Sequence, residues 1–373
     1  MIPVARPYLP RREKLDAYLN GIYECNVLTN NGPLVQELTR RLREYLGVEH
    51  LLLVGSGTLA LQVAYRVLGI SGRDDCPQAI TTPLSFVATA SSLKWEGVEP
   101  VFADIDTGTW CLDPDSIAPL VGSRTRAVVP VHLFGNACDT EAIEAVAAAH
   151  GLRVIYDGAH AFGVRYRGAS LLARGDATTV SFHATKAFHT VEGGAIVFRC
   201  EADLERARAL INFGQAGPDR IEGVGVNAKM NELQAAMGLC VLDEIEECLG
   251  PRREAWDAYQ AVLQDRAWLQ RRSSGLENNS YVYFPVAFAD EAQMQRVKDA
   301  LLAAGVAARR YFFPALDRIL ALNPERPASR RAGDLAARLL CLPLGSGRDE
   351  IAVVLETLHK VLPAVREGVA GGD

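Results

Sequence analysis

Apolar residues recur in two alternating rhythms along the first 250 positions. Short, mostly apolar runs at 51–54, 79–81, 101–104, 127–134, 152–156, 177–180 and 195–198 read as strands. Between them, apolar residues fall at three- and four-residue spacing. In one such stretch Leu34, Val35, Leu38, Leu42 and Leu46 share a helical face that ends at Gly47. The same period predicts helices at 14–24, 59–68, 87–96, 139–150 (with Asp139 as N-cap), 201–213 and 230–248. Strands alternating with helices predict an α/β fold, its sheet mostly parallel and covered on both faces. Gly250-Pro251 reads as a boundary. Beyond it, helices at 252–269, 291–304, 331–340 and 349–361, with strands at 281–288 and 306–311, predict a smaller α/β unit. The expected organisation is a large domain with an N-terminal arm at 1–249, a small C-terminal domain at 250–367, and a disordered tail at 368–373.

Composition narrows the partners. The 373 residues are 49% hydrophobic and 23% charged, enough for a sizeable core, and the length favours two domains. A formal charge of −6 gives no general reason to bind nucleic acid or anionic membrane. Paired arginines at Arg271-Arg272, Arg309-Arg310 and Arg330-Arg331 leave small anions as possible ligands. No apolar run is long enough to cross a bilayer, and MIPVARPYLPRREK lacks a signal-peptide core. Eight cysteines show no C-x-x-C pair and no zinc spacing, so no metal is expected and cytoplasmic thiols are the simpler reading.

Candidate chemistry gathers on one rim. The strand at 51–54 runs into Gly55-Ser56-Gly57-Thr58 and then a helix, whose unpaired amides and positive dipole end suit an anion; a plain N-cap is the alternative. In parallel sheets ligands sit beyond the carboxyl ends of the strands, which places Asp157 beside that turn. Asp157 is either a turn residue or a partly buried carboxylate that could pair with a cationic ring nitrogen. Lys186 lies in SFHATKAFHTVEGG, between two strands and among hydroxyls and histidines. It is either an ordinary exposed lysine or one that forms a Schiff base with pyridoxal phosphate. The chain order is anion turn, loop aromatic Phe86, rim aspartate, rim lysine.

The pieces LTNNGP, VGSGTLAL, TPLSFVATA, VFADIDTGTWCLD, VPVHLFGNACD, VIYDGAHAFG, SFHATKAFHTVEGGAIV and GVNAKMNELQAAMGL occur in an order that resembles the sugar aminotransferases of the DegT/DnrJ/StrS group. They cover roughly residues 25–245, with RRYFFPAL as a looser match. The resemblance implies an aspartate-aminotransferase-like fold (fold type I) and pyridoxal phosphate as cofactor. It implies that Lys186 holds the cofactor and shuttles a proton, with Asp157 on the pyridinium nitrogen. Ser56, Gly57, Thr58 and Ser181 would bind the phosphate, Phe86 and Ala159 would flank the ring, and His160 would hydrogen-bond near its substituents. His183 is an orienting or a structural residue. Asn227 would reach the phosphate of a neighbouring subunit, making a homodimer part of the site.

For the substrates, Thr29 and Asn30 line the acceptor pocket or form a plain turn, and His189 and Glu192 contact substrate or are structural. Arg309, Arg310 and Tyr311 meet a pyrophosphate or form a solvated basic edge. A branch similar to this family replaces the lysine with histidine and dehydrates; the lysine here favours transamination. SFHA-x-K followed by T-x-EGG resembles enzymes that aminate C-4. The resulting expectation is transamination of a nucleotide-linked 4-keto-6-deoxyhexose, best dTDP-4-keto-6-deoxyglucose, with L-glutamate as donor. That activity would serve amino-sugar biosynthesis for a surface polysaccharide such as O-antigen, or for a natural product. The alternatives are a C-3 keto-sugar or cyclitol aminotransferase, a sugar dehydratase, and a non-enzymatic regulator that binds the cofactor or a sugar nucleotide.

Overall fold

A computed structural model describes residues 1–71, 75–323, 327–345 and 347–362. The mostly apolar runs form its central sheet: β1 (His50–Val54), β2 (Gln78–Thr81), β3 (Glu99–Phe102), β4 (Thr125–Val129), β5 (Arg153–Asp157), β6 (Ala177–Ser181) and β7 (Gly194–Phe198). Their order is β1-β7-β6-β5-β4-β2-β3. From β3 to β6 each neighbour is parallel, while β7 runs antiparallel to both β6 and β1.

Burial on both faces explains why these strands lack polar alternation. Leu51 and Leu53 point to one side, against Leu38 and Leu42 of α2 (Pro33–Leu46) and Leu239 of α7 (Glu232–Asp243). Leu52 and Val54 point to the other, against Leu61 and Tyr65 of α3 (Gly57–Val67) and Leu204 of α6 (Glu201–Leu210). Each such side chain contributes about 1.5–3 kcal/mol of burial. Helices α4 (Ala88–Trp95) and α5 (Thr140–Ala149) complete the cover, and the Asp139 side chain caps α5 as expected by accepting the Ala142 N–H at 3.1 Å.

The C-terminal part is built on a three-stranded antiparallel sheet, Trp268–Leu269, Phe284–Ala287 and Leu339–Leu342. It packs with helices Ile245–Leu263, Glu291–Ala303 and Arg348–Val361 through Tyr259, Phe284, Met294, Leu340 and Val354. Three expectations change here. The helix break falls at Glu244, and Pro251 lies inside the following helix. The continuous buried face of Ile245, Cys248, Ala255, Tyr259 and Leu263 outweighs the one backbone bond that the proline forfeits. Residues 306–311 are not a strand: Val306 bridges Ile2 and Arg309 bridges Cys341, one residue at a time. The run expected at 127–134 stops at Val129, because Pro130 has no N–H to extend the ladder. The tail at 368–373 lies outside the described residues.

The N-terminal arm crosses both parts. Ile2 and Ala5 bridge Val306 and Leu344, and further along Arg11 Nε donates to buried Glu244 at 2.8 Å. Asn30 and Asn31 adopt φ of 63° and 58°, the left-handed turn expected of that run. Among the described residues no helix is long and apolar enough to cross a membrane.

Candidate active site

The switch from strand to helix sets the first wall of the site. Ser56 caps α3, its hydroxyl accepting the Leu59 N–H at 3.2 Å, so the first turn of the helix opens onto the carboxyl edge of β5 and β6. The turn is tightly seated. A Cβ on Gly57 would stand 2.9 Å from Ser181 Cβ, and one on Gly194 would stand 2.7 Å from the Gly57 nitrogen. Only hydrogen fits at either position, which lets β7 and the end of β6 press against the anion-facing amides.

A cavity of about 280 Å³ lies beyond that turn. Ser56, Gly57, Thr58, Phe86, Asp157, Ala159, His160, Ser181, His183, Lys186 and Glu192 all line it, with Ser85, Thr185, Tyr283, Arg309 and Tyr311. Thirteen of the eighteen site residues singled out in the sequence, Arg309 and Tyr311 included, therefore share one chamber, although they lie up to 255 positions apart. A larger open groove, about 690 Å³, runs past Arg66, Arg206, Arg208 and Arg220, but each of these arginines is paired with a carboxylate.

Asp157 is buried at the end of β5. Burial pushes its carboxyl up, while Thr89 and the Ala159 N–H pull it back and the Lys186 charge adds to that pull. Thr89 Oγ1 donates to Oδ2 at 2.7 Å, and the Ala159 N–H donates to Oδ1 at 3.0 Å. Lys186 is also buried, and the loss of water lowers its amine to about 8 against the opposing pull of Asp157. Its Nζ donates to the Tyr283 hydroxyl at 3.3 Å. His160 accepts the buried Phe134 N–H on Nδ1 at 3.1 Å, so its remaining proton belongs on Nε2. Burial holds this imidazole neutral, stacked parallel to Phe312 at 5.8 Å.

The lysine loop is ordered by its own polar groups. His183 Nδ1 accepts the Thr185 N–H at 3.2 Å, and its Nε2 stands 3.6 Å from Glu192 Oε1. Thr190 Oγ1 donates to the Glu192 carbonyl at 2.7 Å.

Other expected residues lie elsewhere. His189 does not line the chamber of its own chain: it is buried, with Nε2 2.7 Å from the Tyr8 carbonyl oxygen of the arm and Nδ1 taking the Val191 N–H. Arg310 does not line it either: its guanidinium lies over the Phe313 ring and donates to Glu291 and the Ala337 carbonyl. Neighbouring Arg309 faces the cavity instead, 4.5 Å above the Tyr311 ring. Thr29 and Asn30 are exposed outside the chamber; Asn30 borders a separate recess with Lys229. Asn227 is exposed and bridges Asn212, also away from its own chain's chamber.

Sequence reasoning missed Thr89, Ser85 and Tyr283. Ser85 and Thr89 share a hydrogen bond at 2.8 Å with the four-residue spacing of one helical turn, a signal present in TPLSFVATA. Tyr283 carried none, because its position beside Lys186 arises only from docking the C-terminal sheet.

These residues fit pyridoxal phosphate. A depressed amine, a buried carboxylate and a glycine-tight helix N-terminus converge on one chamber, and Gly57 and Gly194 leave no room for anything but close backbone approach.

Known proteins are similar to this chain over nearly its full length. A dTDP-4-amino-4,6-dideoxy-D-glucose transaminase of Shigella dysenteriae is 39% identical, covering 96% of this chain and 98% of its own. One of the same name from Escherichia coli is 34% identical, over 95% and 96%. The crystal structure of DesI with its TDP-sugar product superposes at a TM-score of 0.88 with 36% identity, covering 96% of this chain and 93% of that one. The family model for DegT/DnrJ/EryC1/StrS aminotransferases matches residues 11–359. The chain belongs to the DegT/DnrJ/EryC1/StrS aminotransferase family, whose members are pyridoxal-phosphate-dependent.

Proposed function

We propose that this aminotransferase moves the amino group of L-glutamate to the C-4 carbonyl of a nucleotide-linked 4-keto-6-deoxyhexose, with dTDP-4-keto-6-deoxyglucose as the preferred acceptor. The observation that carries the reading is the full-length similarity to two dTDP-4-amino-4,6-dideoxy-D-glucose transaminases, set on a chamber that holds Lys186 opposite Asp157. C-3 keto sugars and cyclitol ketones are the competing acceptors.

Pyridoxal phosphate, when bound, supplies a carbon that accepts amines and a ring that accepts electrons. Lys186 would carry it, Asp157 would pair with its ring nitrogen, and Ser56, Gly57, Thr58 and Ser181 would hold its phosphate. Phe86 and Ala159 would flank the ring, and the neutral His160 would offer its Nε2 proton. With its amine lowered by burial to about 8, Lys186 holds more free base at neutral pH than an exposed lysine does. It can therefore take and return a proton at Nζ without a strong base nearby. Thr89 and the Ala159 N–H favour the ionised Asp157. Arg309 carries no ion pair among the described residues and suits an acceptor diphosphate beside Tyr311 and Glu192.

The active unit is a homodimer in this reading. Asn227, Thr29 and Asn30 lie outside their own chain's chamber, and the half-exposed Phe213 and the exposed Val224 are apolar side chains open to solvent in the single chain. The enzyme works in the cytoplasm, in amino-sugar synthesis for a surface polysaccharide such as O-antigen or for a natural product.

The test is the visible absorbance band of lysine-bound cofactor. It should appear when pyridoxal phosphate is added to the purified protein and be lost in Lys186→Ala. A band that survives in that variant would refute the assignment.

A further inference from the structure

Lys186 comes from the loop after β6, yet its nearest side-chain partner comes from the C-terminal sheet, 97 positions away. Tyr283 is buried directly before the strand Phe284–Ala287 and stands with its ring centroid 5.3 Å from Lys186 Nζ. Its hydroxyl is 3.3 Å from that nitrogen. The ring is pinned from several sides. His160 meets it edge-on at 5.0 Å, Phe134 at 5.7 Å and Tyr311 at 5.0 Å. Behind Tyr311, the Arg309 guanidinium lies 4.5 Å over the Tyr311 ring. These ring contacts support Tyr283 in the orientation that places its hydroxyl at Lys186.

We propose that Tyr283 is a positioning residue for the catalytic lysine: its hydroxyl holds Lys186 Nζ in one place whether that nitrogen is ammonium or free amine. The proposal rests on the reading that Lys186 is the proton-transfer group. A phenol is suited to the task because it is both acceptor and donor. Toward the ammonium the Tyr283 oxygen accepts an N–H; toward the free amine the hydroxyl turns and donates to the lone pair. Burial keeps the phenol protonated by raising it far above its ordinary value, so it never competes for the proton that Nζ carries. A carboxylate here would fix the ammonium, and a phenylalanine would leave Nζ free to swing. The arrangement also ties the lysine to the seating of the C-terminal sheet, since Tyr283 and Tyr311 both arrive from that side.

The other titratable groups around the pair are Asp157, which favours the ammonium, and His160, Cys341, Arg309 and Arg252. Tyr283→Phe leaves all of them in place. Hydrogen bonds to the charged form are about twice as strong as those to the neutral one, so losing the hydroxyl favours the free amine.

The experiment has two readouts on Tyr283→Phe. In protein without cofactor, the pH dependence of Lys186 acylation, followed by mass spectrometry, should shift its midpoint down by roughly half a unit to one unit. In the loaded enzyme, single-turnover reaction with L-glutamate should slow by about tenfold, with a larger C2-deuterium isotope effect and unchanged glutamate affinity. A purely structural tyrosine would move neither the midpoint nor the isotope effect. Placing 3-fluorotyrosine at position 283 keeps the shape and the hydroxyl; it should shift the midpoint the same way by less and hold the rate within about twofold. A wild-type midpoint and isotope effect in Tyr283→Phe would overturn the proposal. Were Lys186→Ala instead to retain turnover, the lysine assignment itself would fail first, and the two failures are distinguishable.

Discussion

The most informative perturbation near the cofactor site is Thr89→Val. It is nearly isosteric and removes one hydroxyl that donates to Asp157 Oδ2 at 2.7 Å. Asp157 is buried, so the lost bond is not replaced by water. A hydrogen bond to a charged group is worth about 1.5–3 kcal/mol, which corresponds to roughly 10- to 150-fold in rate if the charge is needed in the transition state. The sign with pH follows from the same bond. Burial already raises the carboxyl, and the Thr89 bond is the largest influence opposing it. Without that bond the carboxyl rises further, so activity that needs the ionised form is lost at a higher pH as acid is added. The assay is stopped-flow single turnover with L-glutamate from pH 5.5 to 9 on the loaded enzyme. Thr89→Ser keeps the hydroxyl and should restore both rate and profile. A Thr89→Val enzyme within twofold of wild type, with its acid limb unmoved, would refute the role given to this bond.

Gly57→Ala should weaken pyridoxal phosphate binding and cost about 1–3 kcal/mol, because the new Cβ meets Ser181 Cβ at 2.9 Å; cofactor titration and thermal melting read the two effects. Glu244→Gln tests the N-terminal arm. Burial alone would raise Glu244, but hydrogen bonds from Arg11, Tyr8 and Lys14 hold it at about 2, so its contribution to stability is complete above about pH 4.5 and is lost as pH falls toward 2. Acid unfolding should therefore be less steep between those values in the variant than in wild type. The proposal that two copies share the site predicts that mixing the Lys186→Ala and Asn227→Ala proteins, each inactive alone, restores activity up to about a quarter of wild type once subunits exchange. No recovery after demonstrated exchange would place Asn227 outside the partner's site.

Much of the fold was legible because doubly buried strands leave unbroken apolar runs. Leu51–Leu53 and Ala195–Phe198 show it, and both lie in the central sheet. The meeting of the rim residues was legible for a related reason: Ser56–Thr58, Asp157 and Ser181 follow or end strands whose carboxyl ends lie on one edge of the sheet. What escaped depends on contacts that no local pattern encodes. Pro251 reads as a breaker, yet the buried face from Ile245 to Leu263 carries the helix through it. His189 sits three positions from Lys186, yet its ring is claimed by the Tyr8 carbonyl of an arm 181 residues away. Arg309 and Arg310 are adjacent and equally charged, and only the local backbone direction decides which one faces the chamber.

The central claim is the direction and address of the amino group. Enzyme loaded with pyridoxal phosphate is treated with L-glutamate, freed of small molecules, and then given one keto sugar at a time, with the products read by mass spectrometry and NMR. The account predicts stoichiometric 2-oxoglutarate in the first step. In the second it predicts an amino group at C-4 of dTDP-4-keto-6-deoxyglucose, with neither step in Lys186→Ala. Turnover of a 3-keto sugar or a cyclitol ketone, with none of any 4-keto sugar, would contradict it.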